Sequence, residues 1–146
     1  MTDVNSTQAD SDESPVPEGC SALADPQEVL LRHIRMAWYD NGVASSQNFA
    51  PMPKDRSHLS VERGSMIDAP AAHSRWTGWG RDSVAVFGVE VGVYQAHGAP
   101  SFHVPVTEPP EEKNPEHALV RYPSVRTQSA KLASKAKAAA QKVYEP

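Results

Sequence analysis

The chain contains a single cysteine, Cys20, among 146 residues. That excludes an internal disulfide and a cysteine cage around zinc. Long apolar runs are missing as well, and no stretch approaches the roughly 18 residues of a membrane-spanning helix. The opening MTDVNSTQADSDESP has neither the basic start nor the apolar centre of a secretory leader. A soluble cytoplasmic protein without membrane contact is the expectation. Aromatic residues are few, at 7%, yet the 39% apolar fraction suffices for one core of modest size. No H-E-x-x-H pair and no clustered carboxylates of a known metal motif occur, so neither a metal nor a cofactor is expected.

Basic residues are absent from positions 1–24, which hold Asp3, Asp10, Asp12, Glu13 and Glu18. From Arg121 onward the balance inverts, with six Lys and Arg against Glu145 alone. The first segment is rich in Ser, Pro and acid and poor in large apolar groups, so it cannot bury enough surface to offset its ordering entropy. It is expected to be a disordered acidic tail. Residues 25–146 then form one small α+β domain, with a small sheet packed against N- and C-terminal helices.

Within that domain, Asp25-Pro26 reads as a cap and first turn for a helix from Pro26 to about Met36, with Glu28 in the first turn and Val29, Leu30 and Ile34 on its apolar stripe. Asp40-Asn41-Gly42 marks a turn. Pro51 and Pro53 exclude a regular helix or a central strand across their segment, and His58–Val61 reads as a short strand. Met66 to about Trp76 is predicted helical, with Asp68 or Ser65 as its cap. SVAVFGVEVGVY, residues 83–94, admits two readings. One is a long strand bulged at Gly88, the other a strand to about Val89 followed by a short helix ending near Gly98. Residues 99–115 carry five prolines and read as a connector, HALVRY as a strand, and 125–143 as an amphipathic helix with lysines away from its stripe.

Chemistry concentrates first in SSQNFAPMPKDRSHLSV, Ser45 to Val61. A serine hydroxyl becomes nucleophilic when a neighbour takes its proton, so Ser45, Ser46 or Ser60 with Lys54 or His58 as base, beside Asp55, defines a catalytic candidate. None of these serines stands in a G-x-S-x-G or S-x-x-K frame, and turn chemistry is the ordinary alternative. The six histidines, His33, His58, His73, His97, His103 and His117, are scattered, and hydrogen-bonded or surface roles are their usual fate. RWTGWGR brackets Trp76 and Trp79 with Arg75 and Arg81. This set is a candidate for partner recognition, but core packing is the favoured reading, with Trp76 closing the core below the valine strand and Trp79 covering its rim. Lys131, Lys135 and Lys142 share one face of the predicted last helix and are candidates for phosphate contact.

Several pieces also follow one larger pattern: Leu30 to Arg32, Ser45 to Gln47, Phe49, Pro51, Pro53 to Asp55, Leu59 to Val61, Gly64, Ile67, Ser83 to Val89 and Glu116 to Ala118. In them the chain resembles, over about residues 29–143, a group of small bacterial proteins with an SSQxFxPxPKDxxxLSV core. The resemblance implies no activity, and the chain departs from it in reading Asp-Asn-Gly at the turn. A non-enzymatic protein-interaction or accessory module is therefore the first expectation, with another protein as partner. A small hydrolase or transferase using the Ser45–Ser60 loop and nucleic-acid binding through the terminal basic helix are the alternatives.

Overall fold

The first two strands lie where the sequence predicts the end of a tail and a helix. The computed structural model describes residues 20–52, 57–105 and 113–146. Strand β1 (Ser21–Ala22) pairs at a sheet edge, and Leu23 beside it is buried. Residues 20–24 thus belong to the folded domain, while the rest of the expected tail lies outside the described residues. Asp25 makes a turn, its carboxylate and carbonyl accepting from the backbone of Gln27 and Glu28. The segment Val29–Ile34 is then strand β2, not a helix. Its misreading has a geometric origin: the spacing of four between Leu30 and Ile34 fits a helical turn and also two strand repeats. Leu31 completes an apolar cluster on the opposite face, as an interior strand buried on both sides requires.

Tyr39–Asp40 (β3) and Val43–Ala44 (β4) form a hairpin. Its two loop residues, Asn41 and Gly42, both have positive φ, 51° and 81°. This is the primed turn that the twist of paired strands favours. His58–Arg63 (β5) follows, then helix α1 (Ala69–Gly78), capped as predicted by Asp68, whose carboxylate accepts from Ala71 N at 2.8 Å. Ala85–Glu90 (β6) runs into helix α2 (Val91–Ala96), which decides between the two readings of that segment. A short strand β7 (Ser101–His103) lies within the expected connector, and His117–Arg121 is β8. The last helix, α3 (Arg126–Ala139), ends before its predicted limit because Gln141–Tyr144 turns extended as strand β9 on the free edge of β6.

All the pairings are antiparallel, and the main sheet runs β1-β7-β8-β5-β2-β6-β9. The α+β expectation stands in its coarse form. The sheet is larger than expected, with seven strands, and the predicted N-terminal helix is one of its interior strands, β2, held between β5 and β6. One face carries Leu30, Ile34, Leu59, Val61, Phe87, Val89, Ala118 and Val120 and is covered by Leu132, Ala133 and Ala136 of α3 and by Tyr94 of α2. On the other face Leu31 and Val86 meet Ala69 and Ala72 of α1. Helix α1 packs over β6 and β9, at one side of that second face. The opposite side holds the polar residues considered next.

Candidate functional site

The Ser45–Val61 stretch is built as a joint. Ser45 Oγ accepts from Gln47 N at 3.2 Å and caps a single 3-10 turn, Ser46–Phe49. Asn48, fully buried in that turn, donates to the carbonyls of Trp38 and Ser45 and accepts from Arg35 N, all at 2.9 Å. Arg32 Nε donates to the Asn48 carbonyl at 2.6 Å, and Tyr122 Oη donates to the Phe49 carbonyl. Ser46 is half-buried beside these contacts. Lys54 and Asp55 lie outside the described residues. The first half of the stretch therefore anchors backbone, the turn-like alternative, and its chemistry begins only in β5.

Alternation along β5 sends Leu59 and Val61 into the main core and His58, Ser60 and Glu62 to the second face. Register supplies their neighbours: His58 stands opposite Arg121, Ser60 opposite Leu119, and Glu62 opposite His117. Ser60 Oγ lies 2.7 Å from His117 Nε2, while His117 Nδ1 lies 3.0 Å from the Val104 carbonyl. A carbonyl only accepts, so Nδ1 carries the hydrogen and Nε2 presents its lone pair to the serine hydroxyl. Burial, the largest influence on His117, holds its pKa below the ordinary 6.5, against the donation to Val104 and the nearby Glu62 charge. Ser60, one of the serines expected to pair with Lys54 or His58, thus has its imidazole neighbour 57 residues away in sequence.

Glu62 centres the second group. Its carboxylate, almost wholly buried, accepts from Arg75 Nη2 at 2.9 Å and Asn114 Nδ2 at 3.0 Å, with His33 Nε2 also 3.0 Å away. Burial alone would raise its pKa, but the bonds and charges of His33 and Arg75 outweigh that and hold it below the carboxylate norm. Arg75 Nη1 reaches Glu116 at 3.0 Å. Behind His33, Ser83 Oγ donates to the Ala85 carbonyl at 3.1 Å and turns its lone pair to His33 Nδ1 at 2.9 Å. Ser83 is thereby committed to structure. Glu28, expected to charge a helix start, instead takes a bidentate pair from Arg63 at 2.6 and 2.9 Å and a bond from Ser65.

The RWTGWGR stretch stacks largely on its own domain. Trp76 lies flat on His33, centroids 4.5 Å apart, and donates to the Asp82 carbonyl. The Arg81 guanidinium lies 5.0 Å over the Trp76 ring, and that of Arg75 lies 5.4 Å over half-buried Trp79. The lysines do not share one helix face. Lys131 and Lys135 are exposed on α3, whereas Lys142 belongs to β9 and bonds Glu145 at 2.8 Å, because tertiary pairing ends the helix before it. Arg126 and Lys137 fall on the opposite flank of α3, about 150° round from the other pair at ~100° per residue. Among the described residues no group of three His, Cys, Asp or Glu is placed to hold a metal ion. His73 donates to the Ser83 carbonyl and His103 to that of Pro115, while His97 caps α2 in solvent.

Beyond the Glu62 cluster the register carries one row across four strands, Ala22, Phe102, Leu119 and Ser60, all on the second face. Three strand spacings of ~4.8 Å make it about 14 Å wide. Phe102, Leu119 and Ser60 are half-buried, and the Arg121 guanidinium lies 4.9 Å over the Phe102 ring. Sequence reasoning missed this row, along with Asn48, Glu62 and Asn114. The alternation of HLSVER and HALVR separates inward from outward positions, but only register shows which outward residues meet. Among the described residues no helix is long and apolar enough to cross a membrane. No protein-family model, no curated protein and no solved structure matches this chain.

Proposed function

We propose that the chain is a protein-binding module that recognises its partner through the Phe102–Leu119–Ser60 row and the Arg121 guanidinium stacked on it. The observation that carries this reading is a half-buried aromatic and aliphatic row on a seven-stranded sheet, with an arginine guanidinium 4.9 Å over its ring. Aromatic and arginine side chains dominate the binding energy of protein interfaces, and they contribute most when their conformation is set before binding. Trp79 and Arg75 stand at the C-terminal end of α1, where the Glu62 cluster joins that helix to β5. The basic flank of α3 is the weaker surface, since its four cations divide between two sides and leave no continuous stripe for a phosphate backbone.

A tagged pull-down from the native cell, treated with nuclease, tests this at about 50 and 200 mM salt. Wild-type protein is expected to retain one partner at both salts. Leu119→Lys is expected to lose it at an unchanged melting temperature, while Lys131→Ala with Lys135→Ala retains it. Capture that survives Leu119→Lys and disappears with nuclease assigns recognition to the basic helix and ends the module reading.

A further inference from the structure

We propose that Ser60 is an acyl-accepting nucleophile with His117 as its general base, so that the protein takes up acyl groups from carboxylic esters or thioesters. Three features on the second sheet face carry the inference. First, the hydroxyl-to-ring distance of 2.7 Å is within the reach that proton transfer demands. Second, the Val104 carbonyl occupies the far nitrogen at 3.0 Å, which orients the ring and leaves Nε2 as the acceptor. A nucleophile, a base and a group that orients the base are thereby in place. Third, Ser60 and His117 both keep partial exposure beside half-buried Leu119 and Phe102, an apolar floor for an acyl chain. A second serine–histidine contact, Ser83 to His33, lacks these features, because Ser83 is buried and its hydrogen goes to Ala85.

The chemistry balances with water as the second reactant. His117 Nε2 takes the hydroxyl proton as Oγ bonds to the carbonyl carbon, and the C–O or C–S bond breaks with that proton passing to the leaving alcohol or thiol. Water activated by the same nitrogen then cleaves the acyl-serine, releasing a carboxylic acid and restoring the hydroxyl. The imidazolium formed in each half stands opposite the Glu62 carboxylate across β5 and β8, a favourable neighbour for positive charge. The acyl site shares Ser60, Leu119 and Phe102 with the partner-binding row, so a bound partner and an acyl substrate compete for this surface, and acylation is read on the protein without a partner.

The test uses the full chain and p-nitrophenyl acetate, with intact-mass and peptide mapping of the acetyl adduct. Folded wild-type protein is expected to release p-nitrophenol in a burst and to carry acetate on Ser60. Ser60→Ala abolishes the adduct, and Ser46→Ala leaves it unchanged. His117→Asn retains a donor for the Val104 carbonyl but removes the base, and acetylation is expected to slow at least about 100-fold. The unfolded wild-type chain in urea serves as a second comparison that requires no variant to fold, and Ser60 should react there no faster than other serines. Absence of a Ser60 adduct on the folded protein overturns the proposal, as does an adduct that forms equally fast in urea or in a folded His117→Asn variant.

Discussion

Single side chains on the second sheet face store their energy in ionisation, and pH should reveal it. Glu62 has a pKa held below its ordinary 4.5: burial opposes ionisation, but His33 and Arg75 outweigh it. Glu28 is lowered as well, chiefly by its bond to Arg63. A lowered carboxyl contributes stability that is complete above the unfolded value and lost as pH falls through the folded one. His117 is also lowered, by burial first, so the folded state resists its protonation and loses stability as pH falls below 6.5. The melting temperature is therefore expected to fall in two stages on acidification, one beginning near 6.5 and one below 4.5. Thermal denaturation across that range checks this, with His117→Asn flattening the upper stage and Glu62→Gln reducing the lower. A profile level from about 7 to 5 contradicts the His117 assignment, and one that stays level on further acidification to about 2 contradicts those of Glu62 and Glu28. Ser60 was legible as a polar residue of the predicted strand His58–Val61 and His117 as the first residue of its own strand, whereas Glu62 lay just beyond the predicted strand end. Their convergence was not legible, because residues 57 apart are brought together only by the pairing of β5 with β8.

Elements in this fold are decided by how closely they approach one another. Gly88, the residue at which the valine alternation of β6 changes phase, marks a close contact: a Cβ built there lies 2.6 Å from Val29 Cγ1 on the neighbouring strand. Strand β2 is held between β5 and β6 and has little room to retreat. Gly88→Ala is therefore expected to destabilise the protein by about 1–3 kcal/mol, the range for overpacking, read as a lower urea midpoint at constant slope. A midpoint at or above wild type shows that β2 yields freely. Where local chemistry suffices, the sequence was legible, as in the Asn41-Gly42 turn and the Asp68 cap of α1. It misled for residues 26–36, where a turn made by Asp25 looks like a helix cap and a four-residue spacing serves both periods. It also ran α3 too far, since Gln141–Tyr144 has no local breaker and becomes extended only by pairing with β6.

At the scale of the whole molecule, the two edges of the main sheet are closed by chain segments near the ends of the described domain, β1 at one side and β9 at the other. The C-terminal closure is tied further, with Glu145 accepting from Tyr39 and Lys142 at 2.8 Å. Removing residues 141–146 exposes the edge of β6, a row of unpaired backbone groups beside apolar side chains. The shortened chain is expected to lose at least about 1 kcal/mol of stability and to associate, seen as a lower urea midpoint and rising light scattering with concentration. A monomer of wild-type stability shows that β9 is dispensable. The sequence by itself determined the absence of disulfides, the unequal charge of the two ends, the α+β class, and every element whose signal is carried by adjacent residues: the hairpin turn, the capped α1, β5 and β8. Only the tertiary structure decided that the first predicted helix is an interior strand of the sheet, that the lysine face is divided, and that Ser60 meets His117 and Glu62 meets Arg75. The reason is physical: caps and turns are made within a few residues, whereas strand register and buried ion pairs depend on hydrogen bonds between segments far apart in the chain, and no local pattern contains them.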